Sequence, residues 1–404
     1  MLTGFRLSAG LVWPVSSPPI PNGAVLVGPD GRIRDVGPDA RVPRPPGFEK
    51  IDVPGGVLLP GLVNVHTHLE LTGFRGQVED ASFFDWIQHV RRRKAESAPA
   101  HFADAARRGI RECWSQGVTT VADTGDTGAA SAALTELGGR GIAYQEVFGP
   151  HPDQCEESFT GLVAAVERLQ ASAGPGVRIG VSPHAPYTVS APLFRRVADF
   201  ARAEGLPIAV HLAESKEETA FVTAGAGPFA EMWRRREIPL PVSAVSSVAF
   251  LDSCGVLGPN VLAIHAVQAS EADLRLLAER GCAVALCPCS NRRHGHGSSP
   301  IAGTLRAAIP CGLGTDSSAS VGALDLFAEA RAAREAGIPA NDVIRLLTLG
   351  GAEALGMGGE IGSLEPGKWA DLCLLERRGD ATAESILSAR VQATWVAGRQ
   401  VFGV

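Results

Sequence analysis

Two histidines that lie close together in the sequence are the residues best suited to chemistry. His66 and His68 follow an apolar run, 57–65, which is typical of a buried strand that ends at a pocket. Residues i and i+2 of a strand point to the same face, so the two imidazoles would lie side by side. Such a pair suits one borderline-soft metal ion. The alternative interpretation is a pair of hydrogen-bonded surface histidines.

Further polar side chains follow other apolar runs of the chain. Those able to bind a metal or to transfer a proton are His184, His211, Glu214, His265 and Asp316. Taken singly, each is more often an ordinary hydrogen-bonded residue. As a set placed at the ends of predicted strands, they indicate a metal site.

The segments that carry these residues alternate between two patterns. Apolar, β-branched runs predict strands at 57–65, 117–122, 141–148, 177–182, 207–211, 261–265, 282–287 and 308–314. Stretches rich in Ala, Arg, Leu and Glu predict helices at 101–116, 128–138, 161–172, 191–204, 270–280 and 322–335. This alternation predicts an α/β fold, a (β/α)8 TIM barrel, with a doubly wound open sheet as the alternative. In a barrel, the polar side chains would meet at the carboxyl-terminal face.

The two ends of the chain have a different pattern from the middle. Short strand-like runs separated by Gly- and Pro-containing turns occupy residues 1–57 and 351–404, including a hairpin with its turn at Asp30-Gly31. We expect these ends to form one small β-sandwich domain. Residues 58–350 would then form the barrel domain.

The composition excludes several classes of protein. Of the 404 residues, 45% are hydrophobic and 20% charged, which is typical of a globular enzyme. The net charge of −6 argues against nucleic acid or an anionic membrane as a partner, and no apolar run is long enough for a membrane span. The only basic run, 91–94, is interpreted as a solvated helix face. The eight scattered cysteines, without a CxxC pair, predict reduced thiols and a cytoplasmic location.

The motifs as a set resemble those of a known family. His-Thr-His after the first barrel strand, His-Leu-Ala-Glu after the fifth, His265 after the sixth and Gly-Thr-Asp-Ser after the eighth are similar to the amidohydrolase superfamily, in its adenosine/cytosine deaminase and chlorohydrolase-like branch. The resemblance covers the whole chain. It implies that one divalent metal, Zn²⁺ or alternatively Fe²⁺, is bound by His66, His68, His211 and Asp316. Three imidazoles and a carboxylate leave room for one water, as in catalytic sites.

The resemblance also implies catalytic roles. A metal in this site would lower the pKa of a bound water towards ~7. Asp316 would take the proton of the attacking water, Glu214 would protonate a ring nitrogen, and His265 would orient the water. His184 resembles the family position that reaches towards the substrate.

The lysines argue for one metal instead of two. Two-metal members of the superfamily bridge their ions with a carbamylated lysine at the end of the fourth barrel strand. This chain has four lysines, and none of them falls between residues 95 and 215. His184 follows the fourth strand instead.

Two further segments resemble aminodeoxyfutalosine deaminases of menaquinone biosynthesis. These segments are 66–72, which contains Glu70, and 287–294, which contains Arg292 and Arg293. The resemblance implies a small-molecule substrate, 6-amino-6-deoxyfutalosine, whose carboxylate would pair with Arg292 or Arg293, with Glu70 also binding substrate.

Other substrates and another class of protein stay open at this stage. The alternatives are deamination of adenosine, S-adenosylhomocysteine or methylthioadenosine, hydrolysis of a guanine, cytosine or triazine ring, and a non-catalytic metal-binding protein. An intact set of Glu214, His265 and Asp316 argues against the last, because a structural zinc needs no adjacent acid. A homodimer is the default expectation for a soluble enzyme.

Overall fold

The computed structural model describes residues 3–79, 82–241, 243–376, 380 and 382–403. They form two compact units. One contains Met1–Val65, Arg111–Val121 and Asp325–Val404, and the other contains His66–Ile110 and Ala122–Leu324. The domain boundaries expected after residue 57 and before residue 351 stay a prediction.

The described residues contain strands of both units in chain order. They are β1 (Phe5–Val12), β2 (Ile20–Val27), β3 (Ile33–Pro38), β4 (Glu49–Pro60), β5 (Leu62–Thr67), β6 (Val118–Gly125), β7 (Arg140–Val147), β8 (Val177–Pro183), β9 (Ile208–Leu212), β10 (Val261–His265), β11 (Ala283–Leu286), β12 (Cys311–Leu313), β13 (Leu372–Glu376), β14 (Val391–Val396) and β15 (Arg399–Phe402).

The helices lie mainly between the barrel strands. They are α1 (Phe83–Glu96), α2 (Pro99–Ser115), α3 (Ala129–Leu137), α4 (Cys155–Ser172), α5 (Ala191–Glu204), α6 (Lys216–Ala224), α7 (Gly227–Arg235), α8 (Ser247–Ser253), α9 (Glu271–Glu279), α10 (Pro288–Arg293), α11 (Ile301–Arg306), α12 (Ser318–Val321), α13 (Leu326–Glu335), α14 (Ala340–Leu347), α15 (Leu349–Ala354) and α16 (Ala383–Ile386). Within the described part of the chain, no helix has the length and apolar character that a membrane crossing requires.

The termini build a mixed sheet of seven strands in the order β15-β14-β13-β4-β1-β2-β3. The predicted hairpin is confirmed, because β2 and β3 pair antiparallel and Gly31 adopts a left-handed φ of 76° in the turn. Apolar side chains from both ends of the sequence, including Leu7, Leu58 and Trp395, share one core. The prediction of a separate small β unit made from both termini is therefore confirmed, as a single hydrogen-bonded sheet.

The middle of the chain builds the predicted barrel. Its eight strands follow one another in the order β12-β11-β10-β9-β8-β7-β6-β5. Every residue of β6 and β7 is buried, as expected for parallel strands covered on both faces. The doubly wound alternative is excluded because a parallel bridge between Thr67 and Asp316 joins the two edges of this sheet.

The structure corrects one expectation, that residues 57–65 form one strand. The chain changes sheets at Gly61. Pro60 still pairs with Leu372 in the terminal sheet. The Leu62 amide instead donates to the Gly117 carbonyl at 2.9 Å, a typical length for such a hydrogen bond. A Cβ on Gly61 would lie 2.2 Å from the Thr119 hydroxyl oxygen. The pair Pro60-Gly61 inside the apolar run therefore marks the end of one strand and the start of the next.

Closure of the barrel depends on a close approach of two backbones. The Asp316 amide donates to the His66 carbonyl at 3.0 Å. Two residues earlier, a Cβ on Gly314 would lie 2.8 Å from the His66 nitrogen and 3.0 Å from the His66 carbonyl oxygen. The absence of a side chain at Gly314 thus allows β12 to meet β5, which brings Asp316 beside His66.

We expect Gly314→Ala to lower the free energy of unfolding by about 3 kcal/mol, because the added methyl group meets backbone that cannot move aside cheaply. Denaturant unfolding would measure the change. Gly161→Ala is the matched control, because Gly161 lies in α4 and an added Cβ would have no atom within 4 Å. We expect this variant to have an unchanged or slightly higher free energy of unfolding. Equal stability of the two variants would contradict the role given to Gly314.

Candidate active site

Three histidines and an aspartate converge at the carboxyl ends of the barrel strands. His66 lies in β5, His68 follows it, His211 lies in β9, and Asp316 follows β12. The His66 ring centroid lies 4.8 Å from that of His68 and 5.1 Å from that of His211. Asp316 Oδ1 lies 3.5 Å from Nε2 of both His66 and His68. The structure therefore brings together all four residues that the sequence predicted as metal ligands.

The donor atoms are held in position by neighbouring polar groups. The Nδ1–H of His211 donates to the His184 carbonyl at 3.2 Å, which directs Nε2 of His211 towards the other two histidines. The Asp316 carboxylate accepts from the Ser290 hydroxyl at 2.5 Å and from the Ser317 amide at 2.6 Å. The site is thus oriented by the fold.

The electrostatics of this cluster suit a cation. Burial, together with the charge that His66 could carry, holds the pKa of His68 well below its usual value, and burial lowers the pKa of His211 to about 3. Burial opposes ionisation of Asp316, but its contacts with His66 and His68 outweigh this and keep its pKa well below the usual range. Neutral imidazoles and an ionised carboxylate are the protonation states that bind a divalent metal.

The residues fit a single metal ion. One donor atom each from His66, His68 and His211 lies within 4.8 Å of the others, and the same holds for His66, His265 and Asp316. Nitrogen and carboxylate donors of this kind bind zinc and ferrous iron in proteins.

Backbone strain is concentrated in the same place. His265 and Asp316 have left-handed φ values of 75° and 60°, and Ala213 has one of 51°. Residues with a Cβ rarely adopt this conformation, and they do so mainly where a side chain must be aimed at a functional site.

A second group, centred on Glu214, lies beside the histidines. Glu214 Oε1 is 3.5 Å from His265 Nε2 and 3.3 Å from His296 Nε2. Burial opposes the charge of Glu214, but the imidazoles of His265 and His296 lower its pKa below the usual value. The backbone amide of Glu214 donates to the Glu218 carboxylate at 3.0 Å, and Asn291 accepts from His265 Nδ1 at 3.0 Å. His296, which the sequence analysis did not single out, is buried against Glu214.

A cavity of about 590 Å³, a volume typical of sites for small molecules, is lined by His68, His211, Glu214, His265 and Asp316. His184, the residue expected to reach towards substrate, lines this cavity, with its Nδ1 2.8 Å from the Thr188 hydroxyl. Glu146 also lines it. Burial raises the pKa of Glu146 well above its usual value, and its Oε1 has no hydrogen-bond partner among the described residues.

One face of α1 forms a wall of the cavity, which the sequence interpretation missed. The wall consists of Phe83, Trp86, Ile87, Val90, Arg91 and Lys94. The basic run 91–94 is therefore not a uniformly solvated helix face: that interpretation was wrong for Lys94, whereas Arg91 is exposed although it lines the cavity. The signal that could have revealed it is the helical spacing of these residues in the segment that follows His66 and His68.

Two residues expected to bind substrate lie elsewhere. The carboxylate of Glu70 is almost fully buried, accepts from Lys94 Nζ and from the Thr127 hydroxyl, both at 2.5 Å, and does not line the cavity. Glu70 therefore supports Lys94 and has no surface to offer a substrate. Arg292 is exposed on α10, and neither it nor Arg293 lines the cavity. The tertiary structure places Arg91 and Arg236 there instead.

Comparison with known proteins gives consistent matches. Residues 57–401 match the Amidohydrolase family. A 5-methylthioadenosine/S-adenosylhomocysteine deaminase of Syntrophobacter fumaroxidans is 34% identical over 364 residues, 86% of this chain and 79% of that protein. An aminodeoxyfutalosine deaminase of Deinococcus radiodurans is 31% identical over 316 residues, 75% of this chain and 74% of that protein. A crystal structure of a Xanthomonas campestris adenosine deaminase with bound zinc superposes with a TM-score of 0.85 at 29% identity, covering 98% of this chain and 92% of that one.

A barrel with this rim of histidines and carboxylates, matched over most of its length, defines the class of the protein. The chain belongs to the amidohydrolase family. It is a hydrolase that acts on carbon–nitrogen bonds.

The ion pair between Lys94 and Glu70 should be required for a stable α1 wall. We expect Lys94→Met to lower the free energy of unfolding by about 3 kcal/mol, because it leaves the buried Glu70 carboxylate without its cation. Thermal and denaturant unfolding would measure this loss. Glu70→Gln combined with Lys94→Met should recover most of it, since no buried charge remains. Additive losses in the double variant would show that the pair does not interact.

Proposed function

We propose that the protein is a metal-dependent hydrolytic deaminase of an aminopurine nucleoside. One observation carries this proposal: Glu214, a buried acid, lies beside His265 and next to the His66, His68, His211 and Asp316 cluster, and it lines a cavity large enough for a nucleoside. Deamination of an aromatic ring needs a proton donor for the ring and an activated water in adjacent positions.

His66, His68, His211 and Asp316 would hold one divalent metal, which we propose to be zinc, with ferrous iron as the alternative. The support is the donor set itself and the zinc in the adenosine deaminase of similar fold. When bound, the metal would supply a water of lowered pKa.

The residues of this chain would perform the proton transfers. Asp316, oriented by Ser290 and Ser317, would take the proton that the attacking water loses as its oxygen bonds to the amine-bearing ring carbon. Glu214, ionised at rest, would take the other proton of the water and place it on the adjacent ring nitrogen. His265, fixed through Asn291, would orient the water. Cleavage of the exocyclic carbon–nitrogen bond, with return of the proton from Asp316, would release ammonia.

For the substrate we propose 6-amino-6-deoxyfutalosine, in menaquinone biosynthesis. The support is the similarity to the Deinococcus relative and the cavity of about 590 Å³. The alternatives are methylthioadenosine and S-adenosylhomocysteine, which the name of the Syntrophobacter relative favours at a slightly higher identity, and adenosine, which the name of the Xanthomonas structure favours. A guanine, cytosine or triazine ring is the remaining alternative on the same scaffold. Purified enzyme assayed by ultraviolet absorption and ammonia release on each compound would distinguish them. A cytoplasmic location and a homodimer stay predictions.

Metal content tests the ligand set. We expect close to one equivalent of metal per chain after reconstitution without excess metal, because one cluster of three imidazoles and a carboxylate provides one site. Elemental analysis would measure it, and His211→Ala should lose most of the metal. Two tightly held equivalents, both required for turnover, would contradict the single-metal proposal.

The role of Glu214 is tested separately from metal binding. Glu214→Gln should bind metal normally and lose ~10²-fold or more in kcat, since the amide cannot donate the proton while its shape is retained. Steady-state kinetics and elemental analysis on the same preparation would separate the two effects. Near-normal kcat in this variant would remove Glu214 from the proposed mechanism.

A further inference from the structure

A histidine that the proposed mechanism does not use lies against Glu214. His296 is in the segment between α10 and α11, and its side chain is almost fully buried. Its Nε2 lies 3.3 Å from Oε1 of Glu214. Burying an imidazole costs free energy unless a polar partner accompanies it, and the carboxylate of Glu214 is such a partner.

The backbone around His296 fixes its place beside Glu214. The His296 amide donates to the Asn291 carbonyl at 2.9 Å, and the His296 carbonyl accepts from Gln268 Nε2 at 2.6 Å. The amide of Gln268 donates to the carbonyl of Ala213, the residue before Glu214, at 2.7 Å. The segments that carry His296 and Glu214 are therefore joined through Gln268.

The ring of His296 is held by its neighbours as well. The Phe83 ring packs edge-on against it, with centroids 4.5 Å apart and an angle of 85° between the rings. On the other side, the His294 ring stacks on it with centroids 5.5 Å apart. These contacts restrict rotation of the His296 ring and keep Nε2 directed at Glu214.

Two imidazoles approach Oε1 of Glu214, and they differ in the proton that they can offer. His265 Nε2 lies 3.5 Å from this oxygen, but the Nδ1–H of His265 donates to Asn291 Oδ1 at 3.0 Å. This orientation of Asn291 is fixed because its Nδ2 donates to the Ser299 hydroxyl at 2.6 Å. A neutral His265 thus has a lone pair at Nε2, which suits it to orient water. His296 is the imidazole whose N–H remains for Glu214.

The charges of the two groups support this contact. Burial opposes the protonated form of His296, but the contact with Glu214 outweighs this and raises the pKa of His296. At 3.3 Å the contact is longer than an ideal hydrogen bond. Contacts of this kind in ligand-free active sites often shorten when a substrate binds.

The other neighbours of Glu214 act differently. Glu218 accepts from the amides of Ala213 and Glu214 at 2.8 and 3.0 Å, so it holds the main chain and not the carboxylate. The Tyr187 hydroxyl contacts the side chain of Glu214, and burial raises the pKa of this phenol, which keeps it neutral. His296 therefore combines an available N–H with the capacity to carry a positive charge.

We propose that His296 is a positioning residue of the deamination, which holds Oε1 of Glu214 through its Nε2–H so that Oε2 transfers the proton. This inference rests on the proposed function and adds to it a residue that acts on the substrate through Glu214. Oε2 takes a proton from the water and passes it to the ring nitrogen, and His296 keeps its own proton throughout. A carboxylate that is held at one oxygen presents the other in a fixed direction to both partners.

The test uses full-length, metal-loaded enzyme with His296→Leu and His296→Gln. Leucine removes the N–H, whereas glutamine places an amide N–H close to the position of Nε2 and cannot become charged. His294→Leu is the matched control, since His294 stacks on His296 but does not line the cavity. The substrate is whichever of adenosine, methylthioadenosine, S-adenosylhomocysteine and aminodeoxyfutalosine wild type turns over best. Elemental analysis and thermal unfolding accompany the kinetics of each variant.

We expect His296→Leu to lower kcat by about ten- to hundredfold, the scale of one hydrogen bond to a charged group. KM and metal content should stay near those of wild type, because the metal ligands are unchanged and the lost contact acts on proton transfer. His296→Gln should recover most of kcat, since an N–H again faces Oε1. In a Glu214→Gln background, His296→Leu should cause little further loss, because its effect is exerted through Glu214. His294→Leu should have the kcat of wild type.

Each other outcome overturns a specific part. Near-normal kcat in His296→Leu would overturn the positioning role and leave the deaminase function standing. Losses that multiply in the double variant with Glu214→Gln would show that His296 acts independently of Glu214. A higher KM at unchanged kcat would make His296 a substrate-binding residue instead. Inactivity of wild type on every aminopurine nucleoside, with turnover of a guanine, cytosine or triazine ring, would overturn the proposed function, and the same variants would then decide the role of His296 on that ring.

Discussion

The hydrogen bond from the Asp316 amide to the His66 carbonyl is the contact on which the site depends. It joins the two edges of the barrel sheet, and it places the last of the four clustered residues beside the first. The contact requires Gly314, since any side chain there would meet the backbone of His66. Closure of the barrel and assembly of the His and Asp cluster therefore depend on the same contact, and both require a residue without a side chain at Gly314.

Closure of the barrel buries charged and polar groups, and the structure offsets the free-energy cost of removing them from water in two ways. Burial favours the neutral form of His68 and His211 and lowers the pKa of both. Buried carboxylates instead receive donors: Asp316 from Ser290 and Ser317, and Glu70 from Lys94 and Thr127. Such preorganisation is what a metal-dependent hydrolase needs, because groups already oriented need no rearrangement during the reaction.

The barrel rim and the wall of the cavity have separate tasks. The rim supplies the groups suited to bond cleavage, and all of them lie at strand ends, where the backbone holds them rigidly. The wall formed by α1 and the end of α7 lines the rest of the cavity with aromatic side chains and arginines.

Much of the fold and of the rim could be predicted from the sequence, because both depend on local patterns. Strand and helix periods repeat over a few residues, and residues that end neighbouring parallel strands must meet at one edge of the sheet. His66, His68, His211, Glu214, His265 and Asp316 were therefore identified from their positions after apolar runs. The break at Gly61 was not identified, although Pro60-Gly61 interrupts the apolar run, since only the hydrogen-bonding partners show that the two halves join different sheets.

The wall of the cavity could not be predicted, because it depends on which helices pack together. Arg91 and Arg236 are far apart in the sequence, and they meet only through contacts such as Phe84 with Phe229. Glu70 and Arg292 were expected to bind substrate because they adjoin the motifs, yet burial turns Glu70 towards Lys94 and α10 leaves Arg292 outside the cavity. The sequence by itself determined the barrel and the chemistry of its rim. Only the tertiary structure decided which charged side chains line the cavity, because the packing of a helix against its neighbours determines where each of its side chains points.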